Sequence, residues 1–361
     1  MTSSEKSRNE YRPSASLILA GRQTLTLKEQ YDYSLLLIKR TEHTSYALNH
    51  CVFPGGVFDP KADESDDWLA YFHSCGVTKA QLELLNCQQA TGRPEFLAQG
   101  GNFTRDISLR LTALRETFEE VGVLLCRPIS SLKDIDTGQT AHVLLQPFDR
   151  ELWQQRVHND AQQFLELCRQ LKVIPDIWAL SEWSVWRTPA SASRKFDTIY
   201  YFAALDTCKV ALLLEPNEVS SAHWLHPGDC WRQSQEAIIW LPFMLLYETA
   251  RLMNMRRWLQ LLQFARRRSI RGSTLLQPIY YRCDGALLGV LPGDELYLDQ
   301  PHNCTESILL PDTINVVNKR AKRYHRYIIY DFNRVDLACN LVPLDGHLPL
   351  QTLVNTRFSK L

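Results

Sequence analysis

The chain has 361 residues, enough to bury a large core as one domain or two. Forty Lys and Arg balance forty Asp and Glu, so net charge makes no case for a nucleic-acid or anionic-membrane partner. Ten scattered cysteines without a C-x-x-C pair argue against a disulfide framework or a zinc ribbon, and no run of roughly 18 apolar residues offers a transmembrane helix.

Residues 1–12 are polar and read as a flexible N-terminus; Glu5 and Glu10 make them a poor transit peptide. Strands are predicted over 15–20 and 33–40, the second ending in Lys39 and Arg40. Phe53-Pro54-Gly55-Gly56 follows, a turn whose glycines let backbone approach a phosphate or a helix closely. Residues 59–110 begin acidic (Asp59, Asp63, Glu64, Asp66, Asp67), with a short helix predicted near 79–85 and a loop near 91–101. Beyond the central helix, a strand is expected at 142–145 and one amphipathic helix over 151–171. Two strand-like segments in 182–205 flank a Pro/Ser/Ala loop carrying Arg194 and Lys195. Residues 232–270 read as a long basic helical stretch that Pro242 breaks or restarts. From 275 on the texture is short strands and turns, with a hairpin about Asp284-Gly285 and strands at 327–332 and 335–342.

Residues 111–125 organise the rest. Leu111, Leu114, Phe118, Val121 and Leu125 recur at steps of three and four and form one apolar face of a helix. Glu116, Glu119 and Glu120 share another face, where each like pair costs roughly 0.2–0.5 kcal/mol. A solvated acidic face is the plain reading of three such residues. A hard divalent cation, bound through carboxylates and substrate phosphates, is the functional one. Arg115 can pair with Glu119 one turn on, and Gly122 suits the position just past the helix end.

The order Arg115-Glu116-x-x-Glu119-Glu120-x-Gly122-Val123 resembles the second half of the Nudix box, Gly-x5-Glu-x7-Arg-Glu-U-x-Glu-Glu-x-Gly-U, where U is aliphatic. Thr117 replaces one aliphatic residue. Counting back from Arg115 puts Gly101 at the glycine and Ile107 at the first glutamate. Gly55-Gly56 looks like the box's opening instead, and counting on from Gly56 puts the glutamate at Ala62, beside Asp63 and Glu64. The insertion 59–110 thus splits the box, as in the branch called nucleoside diphosphate-linked moiety X motif 19, which resembles coenzyme A diphosphatases. Arg194-Lys-Phe-Asp-Thr-Ile-Tyr-Tyr201 and Leu291-Pro-Gly-Asp-Glu-Leu-Tyr-Leu298 are similar to further stretches of that branch.

The resemblance implies an α/β fold, a Nudix-type α/β/α sandwich with a mixed sheet, over 13–271, and a β-rich extension over 272–358. It implies Mg2+ or Mn2+ on Glu116, Glu119 and Glu120, with Arg115, Glu116 and Glu120 catalytic. Glu218 is the first candidate for general base and Glu215 the second. Gly55 and Gly56 would approach substrate, and Arg187, Arg194, Lys195 and Phe196 are candidates to bind the phosphates and adenine of coenzyme A. The implied reaction is metal-dependent hydrolysis of coenzyme A and acyl-CoA to 3′,5′-ADP and (acyl-)4′-phosphopantetheine. Its rivals are another nucleoside diphosphate substrate, such as NADH or ADP-ribose, or a binding protein of the same fold. The insertion is open between a cover for the site and a surface decoration. Ser359-Lys360-Leu361 reads as a peroxisomal address, so a peroxisomal matrix enzyme recognised by an import receptor is expected.

Overall fold

The computed structural model describes residues 11–24, 30–43, 47, 49–87, 92–134 and 136–350. Most of the expected flexible N-terminus and the tripeptide Ser359-Lys360-Leu361 lie outside them.

Strands β1 (Arg12–Arg22) and β2 (Tyr33–Arg40) pair antiparallel, and short strands β3 (Cys51–Val52) and β4 (Gly55–Val57) flank the Pro54 turn. The insertion supplies helices α1 (Pro60–Asp63), α2 (Asp66–Ser74) and α3 (Lys79–Glu83) before the long helix α4 (Arg105–Val121). A two-stranded ribbon, β5 (Cys126–Pro128) with β6 (Val173–Pro175), brackets α5 (Arg150–Asn159) and α6 (Gln163–Leu171). Next come β7 (Ser181–Arg187), β8 (Phe196–Leu205) and β9 (Val219–Leu225), then α7 (Pro227–Gln235), α8 (Phe243–Leu252), α9 (Trp258–Ser269) and β10 (Leu275–Leu276). The C-terminal part holds β11 (Ile279–Asp284), β12 (Ala286–Val290), β13 (Ile308–Thr313), α10 (Ile314–Arg320), β14 (His325–Ile329) and β15 (Val335–Cys339).

The main sheet runs β10-β7-β8-β1-β2-β3, with β4 on β1 and β9 on β2. It is mixed, because β1 and β8 run parallel while β7 and β8 run antiparallel. β1 is buried from Ser14 to Gly21, as a central strand covered on both faces must be. Helices α2, α4, α5 and α6 cover one face, and α7, α8 and α9 cover the other, giving three layers. The second sheet, β13-β11-β12-β14-β15, lays Tyr327, Val335 and Leu337 against the core beneath α8. None of the described helices is long and apolar enough to cross a membrane.

Four sequence expectations change. The helix over 151–171 is two helices, because Asp160 ends α5 in extended backbone and its carboxylate accepts from the Gln162 N–H at 3.1 Å. Residues 142–145 form only an isolated bridge, Leu125 to Val143; Pro147 lacks the donor a longer ladder needs. The stretch 232–270 is broken twice: Pro242 precedes α8, and the carboxylate of Asp32 takes the first N–H of α9, from Trp258, at 2.5 Å. Helix α2 was not anticipated. It carries Trp68, Tyr71 and Phe72 into the core with Leu82, Leu97 and Phe103, so the insertion is a packed layer rather than a surface decoration.

Candidate active site

Helix α4 buries fifteen of its seventeen residues. Leu111, Leu114, Phe118 and Val121 pack on the sheet, as their spacing predicts. The acidic turn is not a solvated face: Glu119 and Glu120 are 8% and 2% exposed, and the side chain of Glu116 is 14% exposed. Gly122 ends the helix at φ 67°, and a Cβ there would meet the Leu213 Cβ at 2.7 Å.

Arg115 is clamped from the insertion. Its Nε and Nη2 donate to Asp63 Oδ1 and Oδ2 at 2.8 and 2.9 Å, a bidentate pair with fixed geometry. Its Nη1 donates to Glu119 Oε1 at 2.6 Å and to Glu116 Oε1 at 2.9 Å. Asp63 also accepts from the Thr112 hydroxyl at 2.8 Å and the Asp59 N–H at 3.0 Å. Asp59 caps α1 through the Lys61 and Ala62 N–H groups, which fixes where Asp63 points. Ala62 occupies the position where the box's glutamate is expected, and the acid that meets Arg115 is its neighbour Asp63. The sequence noted that neighbour without giving it a role.

The glycine turn closes the other side. The Gly55 N–H donates to Glu120 Oε2 at 2.8 Å, and Gly55 sits at φ 151° with no room for a Cβ beside Ala15. A Cβ on Gly56 would lie 2.4 Å from the Glu116 carboxylate, so only glycine lets this carboxylate approach.

Burial drives the electrostatics. It raises Glu116 above the usual carboxylate range against the pull of Arg115. Burial and then the charge of Glu116 push Glu119 up to about 8. The same two causes raise Glu120 well above its ordinary value, with the Gly55 N–H pulling the other way. Three acids disfavoured as lone anions are poised for a cation. Each commits one oxygen to Arg115 or Gly55 and keeps its second, so the donor set offers three hard oxygens. Among the described residues, no three His, Cys, Asp or Glu side chains stand converged on one point, because Arg115 bridges Glu116 and Glu119. These second oxygens would hold a divalent ion, on side chains that Arg115 and the Gly55 N–H already position.

Glu218 is half-buried, and its charge bears on both Glu116 and Glu120. Glu215 is not a free base. Its carboxylate accepts from the Asn217 N–H, the Asn217 amide and the Glu218 N–H, all within 2.8–2.9 Å, and so builds the turn that presents Glu218. The Glu215 N–H donates to the Glu120 carbonyl at 3.1 Å, tying that turn to the end of α4. Arg40, which the sequence reading left without a role, pairs with Val219 at the end of β2, and its charge offsets the rise at Glu120.

The remaining candidates gather at the N-terminal end of β1, the end that also pairs with the glycine turn. Arg187 forks onto Asp197 at 2.6 and 2.8 Å and stacks over Tyr11. Lys195 also lies over Tyr11, Phe196 lies under Arg12, and Arg194 is exposed on the loop. Phe196 is level with Arg12, about 13 Å along β1 from Ser16, which pairs with Gly55. There Arg187 contacts Asp197 and Tyr11, and Phe196 contacts Arg12.

Residues 11–252 match the family model of the NUDT19 Nudix domain. A frog (Xenopus laevis) protein named acyl-coenzyme A diphosphatase NUDT19 is 31% identical over 343 residues, 91% of this chain and 89% of its own. The human (Homo sapiens) protein of that name is 31% identical over 88% of this chain and 86% of its own. A nematode (Caenorhabditis elegans) putative nudix hydrolase 7 is 25% identical over 81% and 76%. Among solved structures, a NUDIX hydrolase from Alicyclobacillus acidocaldarius superposes with a TM-score of 0.50 at 18% identity, covering 70% of this chain and 96% of that one, a likeness of fold.

Proposed function

Because the chain belongs to the Nudix hydrolase family, in its NUDT19 branch, we propose that it hydrolyses the diphosphate bond of coenzyme A and acyl-CoA. The products are 3′,5′-ADP and 4′-phosphopantetheine or its acylated form, the sum of substrate and one water. The observation that carries this reading is the buried turn of Glu116, Glu119 and Glu120, clamped by Arg115 and shaped by Gly56.

Nudix hydrolases use divalent metals, and Mg2+ suits the three hard oxygens here, with Mn2+ as its substitute. When bound, the ion supplies positive charge against the diphosphate and acidity for the attacking water. The chain's own residues do the rest. Asp63 and Arg115 hold Glu116 and Glu119 in place, and the Gly55 N–H holds Glu120. Glu218, on the turn that Glu215 builds, takes the proton as water attacks phosphorus and the bridging P–O bond breaks. Arg40, at the end of β2, brings a positive charge to bear on Glu120 and would lend that charge to a bound diphosphate. Arg194 and Lys195 lie on the β7–β8 loop at the N-terminal end of β1, where they would receive an extended ligand's 3′-phosphate, with Arg187 and Asp197 bracing that loop.

Sorting into peroxisomes through Ser359-Lys360-Leu361 and an import receptor belongs to the same proposal. Loss of peroxisomal fluorescence when Leu361 is deleted from a protein tagged at its N-terminus tests it.

Turnover of coenzyme A, dephospho-coenzyme A, NADH and ADP-ribose, compared with Mg2+ present, tests the substrate. The reading expects the highest kcat/KM on coenzyme A. Turnover of NADH or ADP-ribose without coenzyme A overturns the substrate and keeps the helix chemistry.

A further inference from the structure

Arg268 of α9 is a buried cation, 3% exposed, that touches no carboxylate among the described residues. Its Nη1 donates to the Gly272 carbonyl at 3.0 Å. Its Nη2 donates to the Ser273 hydroxyl at 3.0 Å and to the Glu182 carbonyl. Its Nε has no partner among the described residues. Leaving a guanidinium in low dielectric without an opposite charge in contact is costly.

Arg251 of α8, also 3% exposed, lines one small cavity with Arg268, and its Nε has no partner among the described residues. Its Nη1 lies 3.4 Å from both oxygens of Glu248, which are already taken by the indoles of Trp183 and Trp186 at 2.9 and 2.8 Å. Ser184 and His347 line this cavity too; among the described residues Ser184 Oγ and His347 Nε2 have no partner of good hydrogen-bond geometry, although the Trp183 backbone bears on the His347 ring. His347 Nδ1 accepts from the Leu348 N–H at 2.7 Å, so Nε2 carries the proton. Asp345 lines the cavity as well, but its two oxygens accept from the Thr274 N–H and hydroxyl at 2.7 and 3.0 Å.

Four buried polar atoms without a partner among the described residues therefore belong to side chains that line one small space, and every one of them can donate. The space open to the centre of a water-sized sphere is about 10 Å³, room for one such particle. A water accepts through two lone pairs, whereas a spherical halide accepts all four N–H and O–H groups at once. We propose that Arg251, Arg268, Ser184 and His347 form a binding site for one chloride-sized monovalent anion. The anion fastens the Leu344–Gly346 turn and His347 to α8, α9 and β7.

Crystals of the full chain soaked in bromide test the site directly. The expected result is an anomalous peak within hydrogen-bond reach of Arg251 Nε and Arg268 Nε. Density of a water's weight with no anomalous signal overturns the proposal. In solution, exchanging gluconate for chloride at constant ionic strength should raise Tm by about 2 °C. Ser184→Ala, which keeps both arginines and the fold, should reduce that rise. An equal rise in both anions, or none, contradicts the fastening role whatever the crystals show.

Discussion

Asp63 shows how a single residue's role can be half legible. The family pattern counts to Ala62, and the acid that holds Arg115 sits one position further on, where the Asp59 cap turns it inward. Neither cap nor direction follows from spacing, so the residue was seen but not placed. Glu116, Glu119, Glu120 and the Arg115–Glu119 pair were readable, because helical periodicity alone puts them on one face. Burial was not readable, since it depends on the insertion packing over them. Asp63→Asn leaves one guanidinium donor facing an amide and should lower kcat about 10–100-fold while the fold persists. Turnover and a thermal melt on the same preparation check this; wild-type kcat would remove Asp63 from the site. Gly56→Ala makes a sharper case. Its Cβ would meet the Glu116 carboxylate at 2.4 Å, without a positive φ to strain the backbone. Activity should fall by about 100-fold or more with Tm little changed, because the displaced group is the carboxylate itself.

At the scale of elements, the insertion 59–110 carries chemistry through packing. Trp68 is 1% exposed in the face-one core, and its indole N–H donates to the Ala62 carbonyl at 2.7 Å, next to Asp63. Tyr71 ties the same helix to α6 and β6 through the Cys168 and Val173 carbonyls, both at 2.8 Å. Arg105 with Glu64, and Arg93 with Glu182, pin the segment at two further places. The sequence marked the insertion by its break in the box but gave no sign of α2 as an element, since its three aromatics suit a strand or a loop as well. Trp68→Ala should cost about 3–5 kcal/mol of stability, read from urea melts. It should also depress turnover below the mutant's folded fraction, because the Asp63 clamp loosens with it. Loss of stability alone, with activity per folded molecule intact, would separate the insertion from the site. The broken helices at Asp160 and Asn254–Arg257 escaped the sequence for two different reasons: at Asp160 a local carboxylate competes for backbone N–H groups, and before Trp258 the competing carboxylate is Asp32, far away in the chain.

Across the whole molecule, the C-terminal sheet is welded to the catalytic body by buried polar groups as well as apolar ones. His325 donates from Nδ1 to the Pro292 carbonyl at 2.8 Å and accepts at Nε2 from Tyr247 of α8 at 2.7 Å, so it is held neutral. Burial lowers it from 6.5 to about 4, and it lowers His50 to about 4 as well. The folded pKa lies below the unfolded one, so the unfolded chain takes up protons first as pH falls. The stability these groups contribute is complete above about pH 6.5 and is lost between 6.5 and 4. For His325 alone that is on the order of 3 kcal/mol by pH 4. Urea midpoints at pH 7.5, 5.5 and 4.5 should fall in that order, and His325→Gln should flatten part of the slope. A midpoint unchanged across this window would show that His325 titrates normally. The extension's β-rich texture and its Asp284-Gly285 hairpin were legible from turn chemistry. Its docking on α8 was not, because that contact joins residues far apart in the chain.

The central claim is that the buried turn of Glu116, Glu119 and Glu120 performs metal-dependent cleavage of a coenzyme A diphosphate. The most direct measurement is hydrolysis of coenzyme A by wild type and by Glu120→Gln, each with Mg2+ and with chelator, the products resolved by mass. The account predicts 3′,5′-ADP and 4′-phosphopantetheine from wild type with Mg2+ only, and at least about a 100-fold loss in the variant at unchanged fold. Full Mg2+-dependent turnover by Glu120→Gln, or no cleavage by wild type under any of these conditions, would contradict it.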